Sequence, residues 1–169
     1  MEYQITEQDI ESTRKLLIQN EQDRKIRAAL EEKYPVLHPN RLPRIVPKWD
    51  LSTEALKYND LRDEILVGLT LHLAEPSAFL GVCTYPSDYA TEDLERRSST
   101  HKLRRILDLW ESEVALTPPV FTWQDEKLVK LDGHHRTLLA FALQASEIPF
   151  YCDRPIEDQG IRVHRSATK

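Results

Sequence analysis

The sequence is short of glycine and cysteine and has no long apolar run. Its 169 residues include four glycines and two cysteines. With no apolar run of membrane length and no signal-peptide pattern at the start, we expect a cytoplasmic protein that has no membrane partner. Cys83 and Cys152 lack the spacing of metal ligands. We therefore expect reduced, buried thiols rather than a disulfide or a zinc site.

An excess of positive charge is also missing, because the formal net charge is −5 at pH 7. Proteins that coat duplex DNA bind by neutralising phosphates, so this balance excludes a dedicated non-specific DNA coat. One local strip is basic, with Glu95 as its single acid. Its members are Arg96, Arg97, Lys102, Arg104 and Arg105. The strip is either a solvated helix start or a surface that contacts a nucleic-acid backbone.

The length predicts one domain with a small appendage. We expect a helical N-terminal extension at 1–40, a main domain at 41–155 and a loosely ordered polar tail at 156–169. Helix-forming residues favour a helix from Glu7 to Tyr34, with a possible break near Asn20.

The middle of the chain is ambiguous. Four prolines between residues 35 and 49 predict an extended connector with at most one short strand, Arg44–Val46. Residues 65–73 alternate as a strand would, but the charged entry at 61–64 favours a helix that begins near Leu61. Residues Phe79–Pro86 predict a strand or a turn.

The second half predicts a helix, a hairpin, a second helix and a strand. Five apolar residues at helical spacing indicate an amphipathic helix: Leu103, Ile106, Leu107, Trp110 and Val114. The later elements are strands at Val120–Trp123 and Leu128–Leu131, a helix from about His134 to Ala145, and a strand at Ile148–Cys152.

The strand-to-helix junction "DGHHR" carries the most chemistry. Asp132 is a good N-cap, and Gly133 lets the backbone turn. The first amides of the helix and its dipole form an anion site, with His134, His135 and Arg136 at its mouth. These groups suit a phosphoryl group, and Asp132 could also hold a divalent metal. A plain solvated helix start remains open, whereas zinc is disfavoured because adjacent helical histidines point about 100° apart.

The run from Pro118 to Cys152 resembles the ParB/sulfiredoxin superfamily, whose motif is a strand, a turn, "[D/G]GxHR" at a helix start, and an "xIPxxx" strand. The resemblance implies an α+β fold with a small mixed sheet flanked by helices. It also implies that residues 133–137, which are Gly133, His134, His135, Arg136 and Thr137, bind the phosphates of ATP or another nucleotide. Sulfiredoxin-like members carry cysteine where this chain has His134, so we expect no thiol chemistry. We also expect no helix-turn-helix domain after this core and no role in centromere binding.

The first function that the resemblance implies is phosphate-directed hydrolysis, as an ATPase, a nuclease or both. His135 and Arg136 would stabilise the charge of the transition state. His134 or Asp132 would orient water or a Mg²⁺ ion. The basic strip defined above could then guide DNA.

Two other functions stay open. One is a small-molecule kinase of the free-serine-kinase type, whose base would be Asp63, Glu64 or Asp132. The other is an inhibitory protein-binding module, like the plasmid fertility-inhibition proteins of this fold, with a regulatory or vestigial nucleotide site. Its protein partner would contact the 47–100 insert, including Tyr85 and Tyr89, or the N-terminal helix.

Overall fold

The computed structural model describes residues 6–58, 61, 66, 68–91, 94–95, 99–157 and 160–164. The chain divides into two compact units, Met1–Pro35 and Val36–Lys169. Helix α1 spans Glu7–Lys33 in the first unit. It continues through Asn20, where the sequence left a break possible.

The second unit is an α+β fold, as the sequence predicts. Its strands are β1 Thr70–Ala74, β2 Val120–Gln124, β3 Lys127–Asp132, β4 Ile148–Cys152 and β5 Ile161–Val163. Its α-helices are α2 Pro76–Val82, α3 Thr100–Glu111 and α4 His134–Ala142. Short 3₁₀ helices lie at Pro39–Arg41, Thr53–Tyr58 and Pro86–Tyr89.

The five strands form one mixed sheet in the order β3-β2-β4-β1-β5. Strands β2 and β4 are parallel, and the other neighbouring pairs are antiparallel. All five residues of the central strand β4 are buried. A strand that is covered on both faces reads as a continuous apolar run, which is why "IPFYC" shows no alternation.

Each face of the sheet packs against a different layer. On one face Leu71, Val120 and Tyr151 form a cluster with Leu56 of the second 3₁₀ helix. On the other face the ring of Phe79, from α2, lies in edge-to-face contact with Phe121 and Phe150, with centroids 5.3 and 5.4 Å apart. Such aromatic pairs stabilise a core beyond the area that they bury.

Two predictions for the middle of the chain are wrong where the structure describes it. Residues Thr70–Ala74 form a strand, because their alternating side chains fill both layers of the core. Residues 62–65 and 67 lie outside the described part. The segment from Pro76 to Val82 is a helix, and Pro76 stands in its first turn, where the fixed φ of proline suits a helix start.

The expected strand at Arg44–Val46 does not form, and a single bridge joins Trp49 to Leu116 instead. The expected polar tail also contains structure, because Ile161–Val163 pairs with β1 as an edge strand and Ile161 is buried. Residues 165–169 are outside the described part. Among the described residues, no helix combines the length and hydropathy needed to cross a bilayer.

His72 is a buried histidine in the middle of β1. Its side chain is fully buried and its ring stacks on Phe150 at a centroid distance of 4.9 Å. Its Nε2 accepts a hydrogen bond from the backbone N–H of Ile156 at 2.9 Å, so that nitrogen carries no proton and the imidazole is neutral. Burial disfavours the charged ring and lowers the pKa of His72 below its ordinary 6.5.

The burial of His72 predicts that the folded protein loses stability in mild acid. The unfolded chain takes up a proton near pH 6.5 while the folded chain resists it, so the stability falls as the pH drops below that value. The slope is at most about 1.4 kcal/mol per pH unit for one group. Denaturant unfolding between pH 7.5 and pH 5.5 should therefore show a flatter profile for His72→Gln than for the wild type.

The matched control is His38→Gln, at an exposed position. It should keep the pH profile of the wild type. Identical profiles for the wild type and His72→Gln would contradict the role given to His72.

Candidate functional site

The corner between β3 and α4 is built on Gly133. Its φ is +87°, a left-handed backbone conformation that residues other than glycine rarely adopt. A Cβ at this position would lie 2.5 Å from the Cβ and 2.6 Å from the Cα of Pro119. The glycine is therefore required twice, once for the turn and once for the close approach to the chain that enters β2.

A pocket of about 510 Å³ opens beside this corner. Its volume lies within the range of roughly 300–1,000 Å³ that is usual for small-molecule sites. The walls come from α3, the end of β3 and the first turn of α4, together with Leu116. The cations that line it are Lys102, Arg105, Lys130 and Arg136, and its one carboxylate, within the described residues, belongs to Asp132.

The first turn of α4 adds positive charge to this wall. Gly133 is the N-cap, and a glycine has no side chain with which to cap this turn. The first amides of a helix have no partner within the helix, and the positive end of the helix dipole lies at the same place. A chain with a net charge of −5 thus concentrates positive charge around one pocket.

The expected cap by Asp132 is wrong, because Asp132 is paired with a side chain instead. Its Oδ2 accepts a hydrogen bond from a terminal nitrogen of Arg136 at 2.6 Å. The two side chains are 34% and 17% exposed, so the pair is partly shielded from water. A guanidinium has five N–H donors, and this contact fixes its orientation while leaving further donors for a ligand.

The two histidines both line the pocket and are half-buried. The ring of His134 lies between those of Tyr89 and His135, with centroid distances of 5.6 and 5.4 Å. His134 is thereby held by aromatic contacts. Tyr89, one of the two tyrosines that a protein partner would contact, is buried, whereas Tyr85 is 67% exposed.

Thr137 does not belong to the pocket wall. Its side chain is fully buried, and its hydroxyl donates a hydrogen bond to the carbonyl of Gly133 at 3.1 Å. Its backbone N–H donates to the same carbonyl at 3.0 Å. Thr137 therefore stabilises the turn, and its burial disfavours the predicted contact with phosphate.

The basic strip is divided by helical geometry. Lys102 and Arg105 are three residues apart on α3 and both face the pocket. Arg104 does not line the pocket and is buried at 8% exposure, which disfavours the predicted contact with DNA. Arg96 and Arg97 lie outside the described residues, as do the kinase candidates Asp63 and Glu64.

Lys130 was missed by the sequence analysis. An irregularity in the pairing of β2 with β3 places Lys130 opposite Phe121 and Asp132 opposite Val120, so the alternation of a regular strand does not predict that both line one pocket. Ile106 and Leu109 could have been found, because they follow Lys102 and Arg105 on one side of α3. Only the tertiary structure brings Leu116 to the same wall.

The described residues do not form a protein-held metal site. Asp132 is the single carboxylate among them that lines the pocket, and one of its oxygens already binds Arg136. Across the same residues, no group of three His, Cys, Asp or Glu side chains could hold a metal ion.

Comparisons of the chain with protein-family models, curated proteins and solved structures found no match. The resemblance to the ParB/sulfiredoxin superfamily therefore stays a prediction from the sequence motif.

The glycine corner gives a direct stability prediction. Gly133→Ala should lower the free energy of unfolding by about 2 kcal/mol or more, since a left-handed alanine costs roughly 1–2 kcal/mol before the contact with Pro119 is counted. Denaturant unfolding measures the change. The control is Gly81→Ala in α2, where an added Cβ meets nothing within 4 Å and alanine should stabilise by about 0.5–1 kcal/mol. Equal effects of the two substitutions would contradict this account.

Proposed function

We propose that this protein binds a nucleotide through its phosphates at the start of α4 and hydrolyses a phosphate bond there. The observation that carries the proposal is the pocket itself, in which four cationic side chains and a helix N-terminus surround a single carboxylate. Phosphates are the common biological ligand that matches this arrangement of donors and charge.

Binding is assigned to residues on three walls. The first-turn amides of α4 and the free edge of the Arg136 guanidinium hold one phosphate. Lys102 and Arg105 face it from α3 and hold the next. These two side chains are therefore assigned to nucleotide phosphates rather than to a DNA duplex.

Hydrolysis is assigned to the residues nearest the held phosphate. Arg136 and His135 donate hydrogen bonds to the oxygens that gain charge in the transition state. Asp132 is kept beside that phosphate by its 2.6 Å bond to Arg136, where it can accept a proton from the attacking water. His134 acts as a positioning residue, because its contacts with Tyr89 and His135 orient the second imidazole.

The other two functions receive less support from the described residues. The kinase needs a carboxylate base near an acceptor hydroxyl; of its three candidates, Asp132 lines the pocket, and Asp63 and Glu64 lie outside the described residues. For the inhibitory module, one of the two tyrosines that a protein partner would contact in the 47–100 insert, Tyr89, is buried.

Binding should depend on the pocket cations. Arg105→Ala and Arg136→Ala should each weaken ATP binding about tenfold or more, because a hydrogen bond to a charged group contributes roughly 1.5–3 kcal/mol. Isothermal titration calorimetry measures the affinity. Lys127→Ala changes a lysine on the same strand as Lys130 but outside the pocket, and it should bind like the wild type. A wild type with neither binding heat nor thermal stabilisation by ATP would overturn the proposed site.

Hydrolysis should depend on Asp132. Asp132→Asn keeps the size of the side chain and an acceptor for Arg136 but removes the proton acceptor. ATP turnover should fall by about 100-fold or more while ATP affinity is retained. His135→Ala should also lower the turnover.

The control is Asp125→Asn in the exposed β2–β3 turn, which should be as active as the wild type. Plasmid nicking by the same proteins tests the nuclease form of the activity. Equal turnover by the wild type, Asp132→Asn and His135→Ala would contradict the assignment of catalysis to this corner.

A further inference from the structure

A second and smaller pocket, of about 220 Å³, lies between the 83–89 segment and the edge strand β3. The segment is attached to the strand by the backbone N–H of Thr84, which donates to the carbonyl of Leu128 at 3.0 Å. The walls that matter here are Tyr85, Asp88, Tyr89 and Lys130. Its volume is below the roughly 300–1,000 Å³ of a site for a whole ligand, so it suits one ring system.

Two residues connect this pocket to the phosphate pocket. Lys130 lines both of them. The ring of Tyr89 lines the small pocket and contacts the ring of His134, which lines the large one, at a centroid distance of 5.6 Å. The two pockets are therefore neighbours.

The small pocket offers the groups that recognise a heterocyclic base. Tyr85 is 67% exposed and presents an aromatic face, on which a base can stack. The carboxylate of Asp88 accepts hydrogen bonds and is held 3.6 Å from the ammonium of Lys130. An amino group on the base is the donor that such a carboxylate selects.

The cysteine in this pocket does not indicate a different chemistry. Cys83 is buried, and burial raises the pKa of its thiol to about 12. A thiolate is the reactive form, so Cys83 is a wall residue rather than a nucleophile.

We infer that the small pocket is the base subsite of the proposed nucleotide site and selects a nucleoside triphosphate whose base carries an exocyclic amino group. Tyr85 stacks on the base, Asp88 accepts from its amino group, and Lys130 lies between the base and the phosphates. The inference rests on the proposed function, because it needs the phosphates in the large pocket.

The test compares inorganic tripolyphosphate, which has no base, with ATP, GTP and CTP by calorimetry. At least one of the three nucleotides should bind about tenfold more tightly than tripolyphosphate. Tyr85→Ala should abolish that difference and leave tripolyphosphate binding unchanged. Tyr85→Phe, which keeps the ring, should retain the difference. Because Tyr85 is largely exposed, neither change removes a core contact.

The outcomes separate the two proposals. If tripolyphosphate binds and no nucleotide binds more tightly than tripolyphosphate, the base subsite is overturned and the phosphate site stands. The subsite is also overturned if Tyr85→Ala weakens all four probes alike. If no probe binds, both proposals are overturned.

Discussion

The close approach of Gly133 to Pro119 is the constraint on which the candidate site depends. The carbonyl of Pro119 accepts a hydrogen bond from the backbone N–H of Tyr151 at 2.9 Å, which ties the entry of β2 to β4. Gly133 lies against the same proline, at a distance that leaves no space for a side chain. The end of β3 and the start of α4 are thereby fixed to the centre of the sheet. The helix N-terminus is consequently a rigid part of the pocket wall.

The pair between Asp132 and Arg136 follows from this geometry. The two residues flank the glycine turn, and they are four positions apart, so the turn brings the carboxylate to the guanidinium. An arginine that is 17% exposed is costly to bury without a partner, and Asp132 supplies one. The same contact sets the direction in which the remaining donors of Arg136 point. Stability and recognition therefore use one interaction at this corner.

Aromatic contacts in the core hold the 83–89 segment beside α4. Phe79 contacts Tyr89 as well as Phe141 of α4, at 5.8 and 5.9 Å. Tyr89 in turn contacts His134. The 83–89 segment is therefore packed against α4 through rings, and it carries Tyr85 and Asp88 to the edge of the sheet. A change in the packing of Phe79 would therefore alter the walls of both pockets.

The sequence by itself predicted the elements whose local signals agree. Strand β2, the turn after it, β3, α4 and β4 were found because apolar periodicity, turn residues and glycine all indicate the same structure there. The motif residues Gly133, His134, His135 and Arg136 were placed at a helix start for the same reason, and the structure puts them there. Helix α3 was found from its apolar spacing.

Tertiary contacts decided the rest. Thr70–Ala74 became a strand because β4 and β5 pair with it on both sides, and local propensity does not contain that information. Asp132 does not cap α4, because its carboxylate pairs with Arg136 one turn later. Lys102 and Arg105 line the pocket while Arg104 is buried, because the sheet determines which side of α3 faces the core. Sequence fixes the chemical groups of such a site, but the pocket exists only where separate segments of chain pack together.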